Sequence, residues 1–94
     1  MEELARLLGL AFDEVYTTSN GLQAGVGLRR VVNMYMHGGS LSLALRKPDR
    51  VLVITRGRVQ LWDGHEKHGL EASLSISGIL IDNNKLYILF ELGS

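Results

Sequence analysis

The sequence predicts an α+β domain: an N-terminal amphipathic helix packed on an antiparallel β-meander of about six to eight strands. Three observations predict it. Apolar residues near the N-terminus recur at helical spacing; beyond them the period falls to two; and dipeptides suited to tight hairpin turns separate the alternating runs.

The helix is read from EELARLLGLAF (2–12), where Leu4, Leu7, Leu8 and Ala11 fall at i, i+3, i+4 and i+7. Glu2 and Glu3 stand in the first turn, where carboxylates favour the positive end of the helix dipole. Gly9 weakens this helix, and the β-branched and turn residues of DEVYTTSNG should end it. The first clear hairpin turns at Gly38-Gly39. Met36 then faces Leu41, Met34 faces Leu43 and Val32 faces Leu45, while Tyr35 with Ser42 and Asn33 with Ala44 form a more polar opposite face. Gly-Gly supplies the positive φ angles that such turns require.

RVLVITRGRVQLWD (50–63) behaves alike around Arg56-Gly57. Ile54 faces Val59, Leu52 faces Leu61, Arg50 faces Asp63 and Val51 faces Trp62, with Arg56 expected to take a left-handed conformation. A third hairpin centres on Asn83-Asn84, pairing Ile81 with Leu86, Ile79 with Ile88 and Leu80 with Tyr87. Both of its faces are apolar, which places the pair centrally in a sheet or at a subunit contact. A fourth turn is placed at Asn20-Gly21, with Val15 opposite Val26 and Thr17 opposite Ala24. The competing reading makes 22–37 a second helix ended by Gly38; Gly21, Gly25 and Gly27 oppose it at about 1 kcal/mol each.

The 94 residues predict one small domain, 1–94, and 46% hydrophobic content excludes a disordered chain. No apolar run reaches the roughly 20 residues of a membrane span. Glu2 and Glu3 stand where a signal peptide would be basic, so a cytoplasmic location is expected. Without cysteine there is no disulfide, thiolate nucleophile or Cys-ligated zinc.

Net charge is zero, yet the charges are segregated. Residues 1–28 set Glu2, Glu3, Asp13 and Glu14 against Arg6; residues 29–58 set six arginines and Lys47 against Asp49; residues 59–94 are again acidic. Such segregation makes a local field on a neutral molecule.

The hairpin registers bring Arg29, Arg30, Arg46 and Lys47 to one end of the first hairpin, with Arg50 and Trp62 next along. Cations beside an exposed indole are the elements of a single-stranded nucleic-acid platform, phosphates on Arg and a base on Trp. A solvated rim that pairs with the acidic segments of the same chain or of a neighbouring subunit accounts for the same residues. DGHEKHG (63–69) offers Asp63, His65 and His68 as candidate zinc or nickel ligands, but with no further ligand identifiable a polar connecting loop bounded by glycines is the simpler account. Ser73, Ser75 and Ser77 alternate as the polar side of a strand rather than forming a nucleophilic site. GLQAGVG lacks the Lys-Ser/Thr ending of a phosphate loop and reads as a Gly-rich strand. No cofactor is implied.

Three functions are compatible with these residues. The first is a non-catalytic interaction module that self-associates through its sheet, as a homodimer or larger, and presents a charged edge to a protein partner. One helix covers only part of a sheet face, and the remaining apolar area exceeds what a monomer usually exposes. The second is a binder of single-stranded RNA or DNA through the arginine edge and Trp62. The third is a small-molecule or metal-binding protein centred on the histidine loop.

Overall fold

A computed structural model describes residues 2–93. The helix α1 runs Glu2–Gly9 and buries Leu4, Leu7 and Leu8. Beyond Gly9 the Leu10, Ala11 and Phe12 amides still bond back to Leu7 and Leu8, carrying Phe12 into an edge-to-face contact with Phe90, centroids 6.4 Å apart. Nine strands follow among the described residues: β1 Glu14–Thr17, β2 Gly21–Gly27, β3 Val31–His37, β4 Ser40–Leu45, β5 Arg50–Thr55, β6 Arg58–Asp63, β7 Glu66–Glu71, β8 Leu74–Asp82 and β9 Lys85–Leu92. A short 3₁₀ turn, Leu28–Arg30, joins β2 to β3.

The strands form two antiparallel sheets, ordered β1-β2-β9-β8 and β3-β4-β5-β6-β7. Each turns one apolar face to a shared core. Leu22, Ala24 and Val26 of β2 and Leu86, Ile88 and Phe90 of β9 come from the first; Leu41, Leu43, Leu45, Leu52, Ile54, Val59 and Leu61 come from the second. The helix contacts β1 of one sheet and β7 of the other and closes the core with its leucines.

The helix, the antiparallel pairing and three of the hairpins match expectation. The Arg56-Gly57 pairing holds at every position from Arg50↔Asp63 to Thr55↔Arg58. Asn83 and Asn84 take φ of 50° and 60°, which their short polar side chains tolerate, and Asp82 faces Lys85 across them. Residues 22–37 are strands and a 3₁₀ turn, not a second helix.

Several details differ. The meander continues only from β3 to β7, because β9 inserts between β2 and β8 and starts a second sheet. Val32 does not face Leu45: a bulge between Val31 and Asn33 puts Val31 opposite Leu45 and leaves Val32 as the extra residue. Arg56 is spared the left-handed region, since Gly57 alone of the pair takes it, with φ 77°. The first hairpin pairs Val15 with Ala24 and Thr17 with Leu22, so its turn is Ser19-Asn20, closed by Thr18 N–H to the Gly21 carbonyl at 2.8 Å. Gly21 belongs to β2, where a Cβ would stand 1.9 Å from the Phe90 carbonyl oxygen. The Asn83-Asn84 hairpin divides: β9 is central, whereas β8 is an edge and exposes Ile79, Leu80 and Ile81.

Candidate functional site

Alternation along β4, β5 and β6 sends Leu43, Leu52 and Leu61 into the core and the residues between them to the outer face. Across that face Ala44, Val51, Trp62 and Lys67 stand in register on β4 to β7. Trp62 is 41% exposed, so it lies outside the core and away from its helix-facing side. With Val32, Ala44 and Val51 it lines an open cleft of about 380 Å³, which ends at Asp49, Arg50 and Gly64. The Lys67 ammonium sits 5.5 Å from the Trp62 ring centroid, within reach of its negative π face. In the adjoining row Tyr35 is exposed and stacks on His37, 6.2 Å between centroids.

The five cations of the basic edge divide by role. Arg46 N–H donates to the Arg30 carbonyl at 2.7 Å, bringing the β4–β5 turn against the 3₁₀ turn. Arg29, Arg46 and Lys47 are exposed there and make no ion pair among the described residues. Arg30 instead binds the Asp13 carboxylate, which also accepts the Gly27 N–H at 2.9 Å. Arg50 is likewise engaged. One of its terminal nitrogens donates to the Leu10 carbonyl just beyond α1, another lies 3.4 Å from Asp63, and its Nε is buried without a partner. Both arginines therefore lock segments together, and the edge cations left without an ion pair among the described residues are Arg29, Arg46 and Lys47.

The histidine loop disperses. Asp63 faces Arg50, His65 is exposed in the β6–β7 turn, and His68 lies 3.7 Å from Glu66. Among the described residues no three His, Asp or Glu side chains come together to hold a metal ion. A larger open cleft, about 640 Å³, lies at the start of α1 between Glu2, Glu3, Leu4 and the β7–β8 connection. Acidic residues thus stand at one end of the helix, and the basic turns lie beyond the other.

Two ion pairs, Asp13–Arg30 and Glu14–Lys85, tie the start of β1 and the residue before it to their surroundings. Burial pushes the Asp13 carboxyl up, but the Gly27 N–H and the Arg30 guanidinium outweigh it and hold the group below its ordinary value of 3.8. The Lys85 ammonium and Tyr16 hydroxyl bonds do the same for Glu14, ordinarily 4.5. A depressed carboxyl stabilises fully above its unfolded value and loses that contribution as pH falls through its folded one. Thermal melts should therefore hold level down to about pH 5 and fall below about pH 4. In the Asp13→Asn/Glu14→Gln double variant the fall should be shallower and the neutral-pH midpoint lower. An unchanged pH profile would show that these pairs contribute nothing.

Comparison of the chain with protein-family models, curated proteins and solved structures finds no match. Among the described residues no helix is long and apolar enough to cross a membrane.

Little in the sequence marked Val32, Ala44 or Lys67 for this site. Of the row across the sheet the sequence yields only Val51 opposite Trp62; Ala44 joins through the β4–β5 register, and the cleft needs the bulge that turns Val32 outward. Lys67 reaches Trp62 only because β7 pairs with β6.

Proposed function

We propose that this chain is a small non-catalytic interaction module that self-associates through the open edge of its four-stranded sheet and presents the basic turn to a protein partner. The observation that carries it is β8, a nine-residue edge strand exposing Ile79, Leu80 and Ile81 at 37%, 55% and 60%. Natural sheets usually protect their edges with charge, brevity or cover, and β8 has none of these across its apolar stretch. Arg29, Arg46 and Lys47, without an ion pair among the described residues, suit an acidic protein surface.

A second reading is single-stranded nucleic-acid binding, favoured by the Trp62 cleft beside those three cations. In it a base stacks on Trp62 while phosphates meet Arg29, Arg46 and Lys47.

One experiment weighs both: size-exclusion chromatography with light scattering, with and without a mixed oligonucleotide pool, at low and moderate salt. The proposal expects a dimer or larger that is unchanged by oligonucleotide and dissociates in Ile81→Lys. A monomer at tens of micromolar would sink it. A salt-sensitive nucleoprotein peak, lost in the Arg46→Ala/Lys47→Ala variant, would favour the second reading.

A further inference from the structure

Resting on the self-association reading, we infer how two copies join: by antiparallel β8-to-β8 pairing about a twofold axis at Leu80, merging two four-stranded sheets into one. The inference follows from which main-chain groups of β8 are free. β9 uses only one side of the strand, and among the described residues β8 has no neighbour on its other side. The hairpin closes on a two-residue Asn83-Asn84 turn with positive φ at both residues, so Asp82↔Lys85 is a hydrogen-bonded pair. The pairs then alternate. Leu80 and Gly78 also direct their N–H and C=O groups at β9, whereas Ile81 and Ile79 direct theirs outward.

Two outward-pointing residues, two apart, define the partner. A second copy of β8 presents the same pair in reverse order, and a twofold at Leu80 sets each Ile79 against Ile81 of the other copy. Each such pair exchanges two main-chain hydrogen bonds. Shifting the axis loses this match. Centred on Ile79, Ile81 would meet Ser77, where the bulge between Ile76 and Gly78 interrupts the strand; centred on Ile81, Ile79 would meet Asn83 in the turn.

Side chains agree with the same axis. Ile79 and Ile81 project on the side of the sheet that carries Ile88 and Leu86, and they extend the apolar surface past the core. Ile79, Leu80 and Ile81 all lie outside the buried core and are exposed, so their apolar surface is available to a second copy. Leu80 meets Leu80 on the opposite face. Asp82 falls opposite Gly78, so no carboxylate faces another.

The other edges fit a partner strand less well. β1 is four residues long, and β7 carries Glu66, Lys67, His68 and Glu71. On β3, Met34 already packs on the core and Tyr35 on His37.

The chain holds no cysteine, so a single introduced thiol reports on register directly. Leu80 is more than half exposed, and Leu80→Cys leaves the core untouched. In the inferred register its Cα lies about 4.5 Å from its counterpart, within the span a disulfide closes. Ile79 and Ile81 each lie roughly 9 Å from their own counterparts, beyond that span. Mild oxidation should convert Leu80→Cys almost wholly to a covalent dimer on a non-reducing gel, while Ile79→Cys and Ile81→Cys stay uncrosslinked.

Crosslinking at position 79 or 81 in place of 80 would overturn the register. A dimer by light scattering with no crosslink at any of the three would place the contact on another surface, β3 first, and leave self-association standing. A monomeric wild type would remove both.

Discussion

Gly21→Ala should destabilise the fold by about 3 kcal/mol, at the upper end of the usual cost of overpacking, a fall of roughly 12–25 °C in thermal midpoint for a domain of this size. A Cβ at Gly21 would stand 1.9 Å from the Phe90 carbonyl oxygen and 2.9 Å from its carbon. Both atoms belong to the backbone of β9, the strand that holds the sheet together between β2 and β8. No rotamer change relieves such a clash; the strands must separate. Gly25 provides the comparison. There a Cβ would meet the Tyr87 ring at 2.9 Å, but that ring is a half-exposed side chain that can swing aside. Gly25→Ala should therefore cost far less, within about 1 kcal/mol. Denaturant unfolding of both variants checks the contrast, and equal losses would refute the backbone-clash argument.

The two glycines show where reading the sequence succeeds and where it stops. Turns depend on residues a few positions apart. Gly38-Gly39, Arg56-Gly57 and Asn83-Asn84 were therefore legible, together with most of the pairs they generate. Gly21 was misplaced into a turn because Asn-Gly usually is one, whereas this glycine answers a demand from residue 90. The same limit hid the insertion of β9: Leu86, Ile88 and Phe90 present an apolar face that several strands could accept. At the basic edge, composition brought out the arginines but could not separate their roles. Arg30 is occupied because Asp13 lands beside it, and Arg50 because the chain leaving α1 brings the Leu10 carbonyl to it, 40 residues away in sequence. The outward position of Trp62 was legible, since the Arg56-Gly57 register sets it across from Val51 on the face opposite Leu52 and Leu61.

Leu8→Ala should cost about 3 kcal/mol, more than its loss of side-chain volume on a yielding surface would suggest. Leu8 is fully buried where α1 closes the core between β1 and β7. An eight-residue helix is too short to persist alone, so its order comes from packing. Removing Leu8 leaves Leu4 and Leu7 to hold it, with the Leu10–Arg50 bond and the Phe12–Phe90 contact anchoring only its far end. Hydrogen exchange should then show α1 amides losing protection well before those of β4, β5 and β9. Unchanged stability together with retained α1 protection would mean that Leu8 is not what holds the helix to the core. Loss of α1 protection with unchanged crosslinking through Leu80→Cys would instead separate the two surfaces: the helix would seal the core of one copy, and the proposed β8 contact would stand apart from it.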